Sequence, residues 1–155
     1  MRDRLVLLAA MALTLLVMAA QAQTPQETFW DASKVGDTVA MAKALDRGAK
    51  LQAIDTRRSR NGRAALNYAA WFDHPAAIGW LLRAGADIEA VNYTGFTALH
   101  HAAENGSLAA ARILLDAGAD PDHANERGWL PIDTARDRGH MKVAELLEAA
   151  EKGED

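Results

Sequence analysis

From residue 24 onward the apolar residues come in short bursts at helical spacing, separated by glycines. Leu108, Ala111, Leu114 and Leu115 form one stripe of a helix predicted over 108–116, and Gly118 is placed to end it in the left-handed conformation. Before it, Thr97 is positioned to cap a helix over 98–104, because its hydroxyl can accept from the free N–H groups of a first turn. Gly106 breaks the chain between the two. Gly48 and Gly85 stand ready to end second helices elsewhere, and Thr24-Pro25-Gln26-Glu27 reads as a capping box with proline at the first helical position. Helices of two or three turns cannot bury their apolar stripes alone, so the predicted class is all-α, with the helix pairs stacked into one continuous core.

The bursts repeat. Shifted by 33 residues, Gly62, Gly95 and Gly128 fall in register, as do Leu66, Leu99 and Ile132, then Ala69, Ala102 and Ala135. The match runs on through Leu81, Leu114 and Leu147, and Leu82-Arg83-Ala84-Gly85-Ala86-Asp87 is echoed by Leu115-Asp116-Ala117-Gly118-Ala119-Asp120. An earlier copy lies at a shift of 37, where Phe29 takes the place of Leu66, Ala32 that of Ala69, and Gly48 that of Gly85. The longer shift implies a four-residue insertion between Gly48 and Gly62. Four units follow, at about 24–54, 55–91, 92–124 and 125–155.

Residues 1–22 obey another pattern. Arg2 and Arg4 precede a stretch from Leu5 to Ala20 that is apolar except for Thr14, and Ala20-Gln21-Ala22 forms a small-residue cleavage signal. That is the arrangement of a secretory signal peptide, which would leave a mature domain of 23–155 with no stable membrane anchor. The stretch is shorter than the roughly 18 apolar residues of a spanning helix, and no stop-transfer cluster follows it. A retained anchor and an ordinary helix are the competing readings. The absence of cysteine favours the bacterial periplasm as destination, with secretion as the alternative, and rules out a disulfide scaffold, a thiolate zinc site and a cysteine nucleophile. The chain is also mildly acidic, with a formal net charge of −4, so affinity for nucleic acid is not expected.

The segment Asn92-Tyr93-Thr94-Gly95-Phe96-Thr97-Ala98-Leu99-His100-His101-Ala102-Ala103-Glu104-Asn105-Gly106, followed by Ile113-Leu114-Leu115-Asp116-Ala117-Gly118-Ala119-Asp120, closely resembles the ankyrin repeat. Departures are local. Ala98 and Ala65 replace the motif's proline, Asn67 and Asp133 its histidine, and Asp73 takes the glycine position between helices. The last change is compatible with a left-handed backbone, which Asp tolerates better than most residues. The resemblance implies an α-solenoid of four helix-turn-helix repeats joined by β-turn fingers, its usual work being to bind other proteins on the concave face. Glu148 in place of a leucine and the polar tail from Glu151 suit a terminal cap.

In that family the variable contact positions flank the finger glycine and follow the alanine pair. Carried over, they place Trp71, Phe72, Tyr93, Phe96 and Trp129 on one contact strip, with Arg60, Arg63, Glu104 and Arg127 beside it. Exposed aromatics are common anchors of interfaces, each contributing on the order of 2 kcal/mol. The competing arrangement folds the same rings back onto neighbouring fingers. Phe29, Trp30 and Trp80 fall at core-facing positions. The insertion carries Arg57, Arg58, Arg60 and Arg63, which would steer an acidic partner or else form a solvated loop.

Catalysis is not expected, since the chain lacks the metalloprotease, nucleophile-elbow, phosphate-loop and dinucleotide fingerprints. His100 and His101 are adjacent, so on a helix they point about 100° apart and cannot readily chelate one metal. By the resemblance, His100 makes a structural hydrogen bond between repeats, and His74 and His140 open second helices. No cofactor is implied. The expected function is that of a monomeric, non-enzymatic module binding a protein partner in the periplasm. It would act as scaffold or accessory factor for an enzyme there, or alternatively as an immunity or inhibitor protein blocking an exported toxin.

Overall fold

A computed structural model of the chain describes residues 23–57 and 61–152. The leader-like segment 1–22, and with it the expected cleavage site, lies outside the described residues, as do Arg58 and Arg60 of the insertion. The described residues form eight helices in four antiparallel pairs: α1 (Pro25–Val35) with α2 (Thr38–Asp46), α3 (Ala65–Trp71) with α4 (Pro75–Arg83), α5 (Ala98–Asn105) with α6 (Leu108–Asp116), and α7 (Pro131–Asp137) with α8 (Met141–Lys152). No strand is present among them beyond a single antiparallel bridge between Asp55 and Arg63. The all-helical stack read from the repeats is therefore what the chain adopts, and the helix predicted over 98–104 runs one residue longer.

The first helices of the pairs form one row and the second helices another. Ala65, Ala69, Ala70, Ala98, Ala102, Ala103 and Ala135 are buried along the first row, and their small side chains let neighbouring helices approach closely. That row is packed more closely than the second, so the stack curves toward it and the first helices line the inner side. Leu66, Leu99 and Ile132 fill one level of the core, and Leu81, Leu114 and Leu147 another, as the register required.

Each first helix opens with the same device in different chemistry. The third residue of the helix reaches back to the N–H of the residue before it: Glu27 accepts from Thr24, Asn67 from Ala64, His100 from Thr97, and Asp133 from Leu130. Asn67 and Asp133 thus do the local work of the histidine they replace. In the first unit the device sits one turn earlier, which makes α1 the longest of the four first helices.

The joint between the two helices of a pair is keyed to the next unit. Gly36 (φ 73°) and Gly106 (φ 71°) end α1 and α5, and against them lie the rings of His74 and His140. A Cβ at Gly106 would stand 2.5 Å from His140 Nδ1, so no larger residue fits there. The middle joint exchanges both partners. Asp73 takes the left-handed position at φ 56°, and Ser107 stands where the other two joints have histidine. The smaller serine leaves room for the carboxylate, which accepts from Ala110 N at 2.7 Å and so caps α6 from the preceding unit. Ser107 makes no cap bond to its own helix; its hydroxyl donates instead to Trp71 O at 2.9 Å.

Asp73→Ala should therefore cost about 1–2 kcal/mol, from a lost cap and a strained φ. Ser107→His should destabilise more with Asp73 present than with Asp73→Gly, giving a coupling on the order of 1 kcal/mol in a double-mutant cycle of urea unfolding curves. Independent, additive effects would show that the two joints are not keyed in this way.

Candidate functional site

The fingers between units are held by an acidic or amide side chain at their base. Asn92 Oδ1 accepts from Thr94 N and Phe96 N, and Asn125 Oδ1 from Arg127 N and Trp129 N. The backbone closes each loop, Asn92 N donating to Phe96 O and Asn125 N to Trp129 O. In the second unit Asp55 and Arg63 exchange both backbone bonds instead, eight residues apart rather than four, which locates the insertion inside this finger. Successive fingers are linked as well: Tyr93 N donates to Asn61 O at 2.8 Å and Glu126 N to Thr94 O at 3.3 Å. Gly95 (φ 76°) permits that closeness, since a Cβ there would lie 2.7 Å from Glu126 N.

Asp55 gives the second finger a charge that the other two lack. Its carboxylate is fully buried and accepts from Arg57 Nε at 2.9 Å, Arg57 Nη2 at 3.0 Å and Tyr68 Oη at 3.1 Å, with Lys34 Nζ at 3.5 Å. Burial opposes its ionisation, but the Arg57 bonds and charge prevail and hold its pKa down at about 2. Burial, reinforced by the Asp55 charge, pushes the Tyr68 hydroxyl up to about 12. Arg57 also reaches Asp31 at 3.2 Å and Glu27 at 3.5 Å and lies over the Trp30 ring at 5.0 Å. The sequence reading placed Arg57 among free finger cations; the structure commits it to three carboxylates of its own chain.

Beyond this cluster a line of rings and cations crosses the inner face. Lys34 and Arg63 flank Tyr68, at 4.4 and 5.9 Å from its centroid, and Arg63 also lies 4.3 Å from the centroid of Trp71. Trp71 meets His101 edge-on at 5.9 Å, and Phe96 tilts against His101 at 5.5 Å and His100 at 5.1 Å. Trp71 and Phe96 are consequently half-buried within the protein and expose only part of each ring. Tyr93 (56% exposed), Phe72 (46%) and Trp129 (36%) point outward. The five aromatics therefore divide into a packed pair and an exposed three. Tyr93 and Trp129 stand on adjacent fingers, whereas Phe72 caps the far end of α3. Arg127 is exposed on the fourth finger, and Glu104, largely buried, is paired with Arg138 at 3.1 Å. The sequence reading passed over Tyr68 and Lys34, although Tyr68 lies one turn from Trp71 on the same helix.

His100 is buried, with Nε2 at 3.0 Å from Trp129 O and Nδ1 bonded within its own cap. This is the bond between units that the resemblance implied. His101 is 2% exposed, and neither ring nitrogen has a hydrogen-bond partner; Glu104 Oε2 stands 3.5 Å from Nδ1. Burial pushes His100 down to about 4 and lowers His101 as well. A cleft of about 1030 Å³ opens on the outer side between α6 and α8, lined by Leu108, Leu115 and Leu146 among others, and shares no residue with this inner face.

Depressed histidine pKa values mean that the neutral form is the one that folds. Stability is then complete above the ordinary value of 6.5 and is lost as pH falls through the native value of about 4. Wild type should lose about 2 kcal/mol from His100 between roughly pH 7 and pH 5, and His100→Asn, which keeps the reach to Thr97 N, should lose clearly less in chemical denaturation. A second comparison isolates the buried carboxylate. Arg57→Ala, which leaves buried Asp55 with only Tyr68 and the more distant Lys34, should cost about 3 kcal/mol, while Asp55→Asn, the residue found in the other two fingers, should cost about 1 kcal/mol. Equal costs by thermal melting would mean that the charge is not what holds this finger.

A family model of ankyrin repeats, in three copies, matches residues 66–155. No curated protein matches the chain.

Proposed function

We propose that this chain, which belongs to the ankyrin-repeat family, is a non-enzymatic module that holds a protein partner against its inner face. Ankyrin repeats are protein-interaction scaffolds, and three matched copies extend from Leu66 to the end of the chain. The observation that carries the reading is the pair Tyr93 and Trp129, two large rings left exposed on adjacent, backbone-linked fingers. Rings held out on a rigid frame lose little freedom on binding, which is how a few aromatics come to dominate an interface. The packed line from Lys34 to His100 beneath them supplies a firm floor. With the leader-like segment 1–22 and the absence of cysteine, the reading extends to a periplasmic protein that serves as scaffold or accessory factor for an enzyme of that compartment.

Immobilised 23–155 should retain one stoichiometric protein from periplasmic extract, and the double variant Tyr93→Ala, Trp129→Ala should lose it while keeping its helical circular dichroism. Equal capture by a folded variant would remove the finger tips from the interface.

A further inference from the structure

Among the described residues Arg63 lies on this face without an ion pair, with Glu104 the acid that feels its charge. Arg57, six residues earlier, is paired with three carboxylates, whereas Arg63 makes no ion pair with any described carboxylate. Its Nε is buried and has no hydrogen-bond acceptor. Its Cζ lies over the Trp71 ring, 4.3 Å from the centroid, which holds the guanidinium against the indole. His101 lies against the same indole, 2% exposed, with Nε2 lacking a hydrogen-bond partner and Nδ1 3.5 Å from Glu104 Oε2. Two nitrogen-bearing side chains with orphaned buried atoms thus share one ring. Native proteins seldom leave such atoms unpaired, because each unmet bond is costly, more so when the group is charged. Glu104, the acid nearest His101, has its other oxygen held by Arg138 at 3.1 Å, so its charge is already offset.

We propose that Arg63, laid on Trp71 beside His101, is a seat for a carboxylate of the protein partner. A carboxylate matches the fork of a guanidinium with parallel N–H···O bonds. It also accounts for an unpaired, half-buried arginine on a chain whose net charge is −4. The seat rests on the reading of this face as a protein-binding surface and adds the chemistry of the group it takes. Tyr93 and Trp129 would anchor the partner, and Arg63 would fix its register through one acidic group.

The test titrates the protein with N-acetylglutamic acid α-amide as a side-chain carboxylate, N-acetylalanine as a terminal carboxylate, and N-acetylglutamine α-amide as their neutral counterpart. The Arg63 Nε–H and His101 imidazole resonances are followed by NMR. Expected is a saturable shift of both with at least one acid, the stronger acid naming the source of the carboxylate. No saturation is expected with the neutral amide, nor at the exposed Arg127. Arg63→Gln should abolish the His101 response and Arg63→Lys should weaken it severalfold. The comparison of acid with amide on wild type needs no variant, so a misfolded Arg63→Gln leaves the answer intact. Shifts that fail to saturate, or that the neutral amide reproduces, overturn the seat. Partner capture that depends on Tyr93 and Trp129 with no carboxylate response would refute the seat alone, and a carboxylate response with no such capture would refute the partner reading alone.

Discussion

A helix of seven to eleven residues leaves its last carbonyls without partners of their own, and at the ends of α1 and α3 the next unit supplies them. His74 Nε2 lies 2.9 Å from Lys34 O near the end of α1, and Ser107 Oγ and Asn105 Nδ2 both donate to Trp71 O at the end of α3. Trp30 Nε1 donates to Ala53 O, holding the connection out of the first unit against its own helix. The apolar stripes have the same dependence, since the alanine-lined first helices are buried only between neighbours. No unit is complete alone, so cooperativity along the stack follows from hydrogen bonding as much as from the core.

The fold was legible because its signals are local. Thr24 and Glu27, Thr97, Gly106 and Gly118 each announce a helix end by their own backbone chemistry, and the 33-residue register places the core leucines without reference to three dimensions. Asp73 in a glycine position was legible for the same reason. The inner face was less so. Sequence spacing put Trp71 and Phe96 on one face but could not tell that His100, His101 and Arg63 would cover part of both rings. Arg57 and Arg63 look equivalent in a run of arginines. What separates them is Asp31 and Glu27 on α1, more than twenty residues away, whose proximity depends on how the first two units dock.

The second finger is the means of that docking. It replaces the neutral amide of an ordinary finger by Asp55 and lets Arg57 double back over Trp30, so the first helix is tied to the second finger by charge. The centre of this cluster, Asp55, is withdrawn from water, which makes the bonds it accepts less sensitive to salt than surface pairs such as Arg136 with Glu148. The first pair of helices lies outside the stretch that the family model matches, and it is bound to the rest by the feature that departs most from the repeat.

The alternation of joints bears on how such a chain can be rearranged by recombination. A unit with glycine at its joint accepts a histidine-bearing successor, and the unit with Asp73 there accepts one that carries serine. Deleting the third unit would drive His140 onto Asp73, and deleting the second would set Ser107 against Gly36 and leave a void. Duplicating the third would place Ser107 beside Gly106 with the same result. The repeats look interchangeable by their leucines and glycines, yet these small complementary pairs record the order in which the units must be strung.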